Sequence, residues 1–467
     1  MQLAAVRDRQ VSCAELMRAT LDRIAAANPA VNAIVALRDE DELLAEAQAH
    51  DARLANGETP GALFGLPMAI KDMEAVRGIR TTKGSPIFRD AVPDADCLMV
   101  SRLRAAGGIP IGKTNVPEFA LGSQTYNTVY GPTRNAYDHR LTAGGSSGGA
   151  AVALATRMLA LADGSDYGGS LRNPAGWNNV FGLRPSIGRA PSGERDPWLP
   201  SMGVLGPMAR DVPDLALLLS VQAGFDPCEP LSSRDDPQAL AAPLGRDLRG
   251  MRIAWGGDLG GALPFESGVL DLCRQAVAAF TQLGCTVEEA APEFDYERLW
   301  QAFVTLRGWQ TGFSLLEHYR DPQRRTMLKP EAAWEVEQVL SLTVPELVQA
   351  SEVRAAWTAA MRRFLQRHDC LVLPTAQVFA FPVEQPWPKA IAGQAMATYH
   401  AWMKIMVPAT MAGCPALAAP AGFDAGGRAM GIQLIAAPHA ERTCLELAHG
   451  YDLATGWTQR TPSPPPG

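Results

Sequence analysis

Lysine is scarce in this 467-residue chain: of 42 basic residues only six (Lys71, Lys83, Lys113, Lys329, Lys389 and Lys404) are lysine, and the rest are arginine. Positive charge is in deficit overall, since 49 acidic residues leave a formal net charge of −7. A broad basic face for nucleic acid or an anionic membrane surface is thereby excluded, and small molecules or other proteins remain as partners. Long uncharged apolar runs are also missing, which excludes a helical membrane span. The eight cysteines form no C-x-x-C pair, and the seven histidines form no H-E-x-x-H motif. Neither a disulfide framework nor a metal site is indicated, and nothing calls for a cofactor. The first residues lack the basic segment, apolar stretch and cleavage site of a signal peptide, so a reducing cytoplasm is the expected compartment. A homo-oligomer is compatible with all of this.

What is present is a large apolar share, 47% hydrophobic against 19% charged, enough for a substantial core. Ser12 and Glu15 make an S-x-x-E capping box, Leu16, Leu21 and Ile24 follow at helical spacing, and Asn28-Pro29 is expected to stop that helix. Further helices are expected over 40–54, 100–106 and 150–161. A buried strand is expected to close at Lys71-Asp72, and another over 109–112. Strands at 251–255 and 286–289 around a helix at 269–283 give an α/β pattern. Residues 295–367 read as helical, and Trp300, Trp309, Trp334, Trp357, Trp387 and Trp402 crowd this region and its flank. Core filling is the usual role of such residues, but a specificity pocket would use the same material. The tail 461–467, rich in proline, is expected to be disordered.

Three motifs compete for the chemistry. Gly107-Gly-Ile-Pro-Ile-Gly-Lys113-Thr114 matches the phosphate-binding pattern GxxxxGK[ST], but its interior is strand-like and no helix N-terminus follows to face a phosphate. Gly144-Gly-Ser146-Ser-Gly148 matches GxSxG, which would make Ser146 a nucleophile needing a downstream carboxylate and histidine. His318, His368, His400, His439 and His449 are available, none in a distinctive context. In Asp166-Tyr-Gly-Gly-Ser170 the glycines let successive N–H groups converge on one point, as an oxyanion hole requires, beside the Ser170 hydroxyl. Lys71 ends an apolar strand where desolvation favours its neutral form, a competent base without histidine. The paired serines of Gly144–Gly149 could carry a proton between them.

This constellation resembles the amidase signature family. The carriers are Gly65-Leu-Pro-Met-Ala-Ile-Lys71-Asp72, Gly144-Gly-Ser-Ser-Gly-Gly149 and Asp166-Tyr-Gly-Gly-Ser-Leu-Arg172, in the family's order and spacing. The likeness continues through Phe181-Gly-Leu-Arg-Pro185, Gly206-Pro-Met-Ala-Arg210, 371–375, 413–423 and Gly431-Ile-Gln-Leu-Ile435, nearly the whole chain. The resemblance implies an α/β amidase-signature fold, with a mixed central sheet sandwiched by helices on both faces. It implies one domain over 1–460, with the tryptophan-rich region at about 295–405 serving specificity. It implies Ser170 as acyl-enzyme nucleophile, Ser146 as bridging serine after a cis peptide bond, and Lys71 as base. The N–H groups of Tyr167, Gly168, Gly169 and Ser170 would form the oxyanion hole. Ser147, Asp166 and Arg172 would support these groups, the last two as an ion pair. The substrate so implied is a small hydrophobic or aryl amide, with esters and carbamates as further candidates. The alternative is the catalytic subunit of a glutamine-dependent tRNA amidotransferase. Tyr167 and Asn173-Pro-Ala-Gly-Trp-Asn-Asn179 depart from the commoner family pattern, which bears on substrate preference more than on the backbone chemistry.

Overall fold

The computed structural model describes residues 2–193 and 202–462. The proline-rich end of the tail, 463–467, lies outside them. The first long helix, Cys13–Val31, starts on its capping box: Glu15 N–H donates to Ser12 Oγ at 3.0 Å and Ser12 N–H to Glu15 Oε2 at 2.9 Å. It does not stop at Asn28-Pro29. Proline removes only one donor there, and Asn32, with φ 53°, ends the helix a turn later. Asn28 Oδ1 instead accepts the N–H groups of Ala33 and Ile34, each at 2.8 Å, clasping the exit.

The helix expected over 150–161 is, by contrast, shorter, Gly148–Ala155. Thr156 Oγ1 bonds back to Val152 O at 2.7 Å and Arg157 takes φ 62°, so the chain turns and its next apolar residues enter a strand. A short apolar run fits either state, and burial in the sheet decided this one.

Three strands, β1 (Ile34–Val35), β2 (Pro67–Lys71) and β3 (Ile109–Thr114), form a small sheet in the order β1-β3-β2, with β2 parallel to β3. From Ile109 to Thr114 the phosphate-loop look-alike is thus a buried strand, and Lys113 Nζ donates to Glu74 O. The main sheet takes β4 (Leu161–Asp166), β5 (Phe181–Arg184), β6 (Val204–Ala209), β7 (Arg252–Trp255), β8 (Thr286–Glu289) and β9 (Cys370–Pro374). After a small hairpin, β10 (Ala390–Ile391) and β11 (Gln394–Ala395), come β12 (Ala416–Phe423) and β13 (Ala429–Ile435). The order is β4-β6-β5-β12-β13-β9-β7-β8, antiparallel from β4 to β9 and parallel through β9, β7 and β8.

Strands β12 and β13 are apolar and small almost throughout and buried along their length, apart from Phe423 at the end of β12. That unbroken pattern fits a sheet covered on both faces, here by helices that include Arg172–Trp177, Val269–Gln282 and Glu441–Thr455. The expected mixed α/β architecture is what the chain adopts. The segment after β8 is helical as expected, with Tyr296–Arg307, Phe313–Arg320, Pro330–Ser341 and Val344–Leu365. Among the described residues no helix is long and apolar enough to cross a membrane.

Candidate active site

The end of β2 lies against β4. Every residue of β2 is buried, and the apolar Met68-Ala-Ile70 run carries Lys71 into the interior, where its side chain is inaccessible to solvent. Lys71 N–H is received by both oxygens of Asp163 on β4, at 3.1 and 3.2 Å. At the other end of the side chain, Nζ lies 2.9 Å from each of Ser146 Oγ, Ser147 Oγ and Ser165 Oγ. An ammonium donates to all three hydroxyls. A neutral amine has two hydrogens and a lone pair, so one hydroxyl must then donate to it.

Ser146 follows Gly145 through a cis peptide bond. Its loop is fixed from outside: Thr125 Oγ1 donates to Gly144 O at 2.8 Å, and Gly145 N–H to Asn173 Oδ1 at 3.3 Å. Ser147 stands at the start of helix Gly148–Ala155, and its N–H donates to Ser170 O at 3.2 Å. The Ser146–Ser147 loop and the Ser170 loop are therefore tied through the backbone. The described hydrogen bonds include none between Ser146 Oγ and Ser170 Oγ.

The Ser170 turn is organised by Asp166, the last residue of β4. Its Oδ1 accepts Gly169 N–H at 3.0 Å and its Oδ2 accepts Leu171 N–H at 3.1 Å. Arg172 donates through Nε and Nη2 to the two oxygens, both at 3.0 Å, and Arg184 through Nη1 to Oδ1 at 3.2 Å. All three side chains are fully buried. Burial alone would raise the Asp166 pKa, but the two guanidiniums beside it hold it well below the usual carboxylate range. Arg172 also reaches Gln433 Oε1 on β13 at 2.6 Å and Met406 O at 3.1 Å, which explains why the Gly431–Ile435 motif belongs with the site.

Of the four N–H groups expected to converge, that of Gly169 is engaged by Asp166, whereas those of Gly168 and Ser170 meet no acceptor among the described residues. Gly169 has φ +104°, and a Cβ there would lie 2.5 Å from Met406 Cγ, so only glycine fits.

Ser170 lines a cleft to which several segments contribute. Tyr167 and Gly168 come from the Ser170 loop, Trp300, Phe303 and Arg307 from helix Tyr296–Arg307, and His400, Met403 and Val407 from the segment before β12. Tyr167 sits edge-on to Phe303 with its hydroxyl donating to Gln310 Oε1, and the Arg307 guanidinium lies 5.2 Å over the Tyr167 ring. Arg307 is itself balanced by Glu335, Nε to Oε1 at 3.0 Å, and donates to Tyr399 Oη at 2.8 Å. Of the six crowded tryptophans only Trp300 lines this cleft, while Trp357 and Trp402 are core residues, as the simpler expectation had it.

Sequence reasoning did not single out Ser165, Asp163, Arg184, Arg307 or Glu335. The first two were within reach: in a strand, Asp163 and Ser165 share a face, so once β4 is a strand both turn toward Lys71. Asp163 is fully buried, and burial together with nearby Glu74 pushes its pKa up to about 7, against the opposing effects of the Lys71 N–H and the Lys113 and Lys71 side chains. His400 lines the cleft, whereas His318 packs against Phe88 and Phe119, and His368 pairs with Glu288. No histidine is hydrogen-bonded to Ser146 or Ser170 among the described residues, which removes the support for a Ser-His pair.

A family model described as Amidase matches residues 15–445. The chain is 33% identical over 464 residues to an acylamidase of Rhodococcus erythropolis, covering 98% of this chain and 96% of that one. It is 34% identical over 481 residues to a glutamyl-tRNA(Gln) amidotransferase subunit of Moorella thermoacetica, covering 97% and 96%. A crystal structure of a bacterial aryl acylamidase of the amidase signature family superposes with a TM-score of 0.91 at 27% identity, covering 98% of this chain and 96% of that one.

Proposed function

Since this chain belongs to the amidase signature family of enzymes that hydrolyse amides, we propose that it is a free-standing hydrolase of small aryl or otherwise hydrophobic amides, working through an acyl-Ser170 intermediate. The observation that carries this is the solvent-inaccessible Lys71 amine held by three serine hydroxyls beneath a serine that opens into an aromatic cleft. In the neutral state Lys71 Nζ takes the proton of Ser146, which takes that of Ser170, as Ser170 Oγ bonds to the substrate carbonyl carbon. Rotation of the Ser146 and Ser170 hydroxyls toward each other completes the relay. The backbone N–H groups of Gly168 and Ser170, which meet no acceptor among the described residues, receive the developing oxyanion. The proton returns along the same path to the leaving nitrogen as the C–N bond breaks, and water then attacks the acyl carbon and restores Ser170. Because nothing in this chemistry requires a nitrogen leaving group, aryl esters and carbamates are candidate substrates as well.

The test is a panel of anilides, benzamides, aryl esters and aryl carbamates with the purified chain alone. Ser170→Ala should abolish turnover, and Lys71→Ala should nearly do so. Wild-type kcat/KM should fall as the pH is lowered and Lys71 gains its proton. A Ser170→Ala variant as active as wild type, or a rate flat toward acid, contradicts the scheme. The amidotransferase relatives favour a second reading, in which the chain releases ammonia from glutamine beside partner chains. Turnover of glutamine but of no aryl substrate would select it.

A further inference from the structure

Two residues that line the cleft, His400 and Ser123, carry buried hydrogen-bonding atoms that the protein itself does not satisfy. His400 is 1% exposed, and its ring is fixed on three sides: stacked on Tyr399 with centroids 4.5 Å apart, and edge-on to Trp300 at 5.1 Å and Trp334 at 5.6 Å. Nδ1 is engaged with Thr398 Oγ1 at 2.7 Å, but Nε2 is buried without a partner. Ser123, 2% exposed and lining the same cleft, likewise has an unpartnered Oγ. A buried polar atom left unpaired is costly, and a ligand that pairs it recovers that cost.

The character of the missing partner follows from charge. Burial and the neighbouring Arg307 keep the His400 ring neutral, and Arg307 is already balanced by Glu335. These two residues therefore offer polar contacts without net charge, set among Trp300, Phe303 and Tyr167, which suit a planar ring. We propose that His400 is a specificity-determining residue whose Nε2 hydrogen-bonds an uncharged polar substituent, a hydroxyl or carboxamide, on an aromatic ring of the substrate. Such groups both donate and accept, so they match either tautomer of the imidazole. The inference rests on the aryl-amide hydrolase reading above.

The experiment compares kcat/KM for para-hydroxy and para-methyl members of two substrate pairs, benzamides for the acyl side and acetanilides for the leaving-group side. The substituents are close in size, and their electronic difference cancels when variants are compared. Wild type is expected to favour the hydroxy member of one pair by about tenfold or more, the scale of discrimination a buried hydrogen-bonding group provides. His400→Phe keeps a planar ring and removes the nitrogens, so it should bring that ratio to one or invert it while Ser170 still takes a fluorophosphonate label. If His400→Phe fails to fold and label, His400→Leu gives the same comparison. A merely structural role would lower both members alike, and an unchanged ratio overturns the proposal, as does a wild-type enzyme with no preference in either pair. Wild type that labels and cleaves aliphatic amides but neither aryl pair overturns this inference alone. Wild type that takes no label and cleaves nothing overturns the hydrolase reading beneath it.

Discussion

Asp166→Asn separates the scaffold of the Ser170 loop from the chemistry proposed for it. The native carboxylate receives Gly169 N–H, Leu171 N–H, two donors of Arg172 and one of Arg184, all in the protein interior. Asparagine preserves the shape but removes the charge, and it turns one oxygen into an amide group facing donors. Two guanidiniums are then left buried without a counter-charge. Removing one partner of a buried ion pair costs about 3–5 kcal/mol, because the remaining charge stays out of water. A loss of that size should be seen in guanidinium chloride unfolding followed by tryptophan fluorescence. The loss also depends on pH. Since the native pKa of Asp166 lies below its unfolded value, its contribution is present above about pH 4 and fades as the pH falls through the native value. The difference between wild type and Asp166→Asn should thus be largest near neutrality and shrink in acid. In the folded fraction kcat should drop by about 10²–10³, the scale of losing an oxyanion donor, because the 167–170 turn loses its anchor. A variant within about 1 kcal/mol of wild type and retaining its kcat would refute the reasoning.

Asp163 should show the opposite pH behaviour. With its native pKa raised to about 7, the folded state holds a proton that the unfolded chain releases near pH 4. Its contribution to stability therefore declines as pH rises from about 4 to about 7, and Asp163→Asn should flatten that part of the curve. Denaturation midpoints that run parallel for variant and wild type from pH 5 to 8 would count against the assignment. Gly169→Ala forces a positive φ on an L-residue and sets its Cβ against Met406, so it should fold less stably by more than the roughly 1 kcal/mol of a strained alanine. It should also lose activity. A Gly169→Ala enzyme with wild-type kcat would show that the turn tolerates displacement.

What was legible in the sequence is what the backbone carries locally. The Ser12–Glu15 cap, the apolar strand ending at Lys71 and the glycine turn before Ser170 each lie within a few residues, and each is found where the sequence puts it, while the Asp166–Arg172 pair followed from the family resemblance. The misplaced helix boundaries at Pro29 and Thr156 are also local, but there the next turn overrode propensity. Which residues line the cleft was not legible, because Tyr167, Phe303, Arg307 and His400 come together from separate segments and no periodicity links them. The lysine shortage takes on a physical meaning in the folded chain. Lys71 and Lys113, two of only six, are both buried, on adjacent paired strands. At Lys71 three hydroxyls converge at 2.9 Å on one nitrogen. A guanidinium spreads its donors over a planar fork and keeps its proton, so it could neither satisfy that convergence from one atom nor supply a lone pair to Ser146. Arginine serves in this same site where the partner is a carboxylate with two oxygens, at Asp166, and lysine where the partners are hydroxyls around a point.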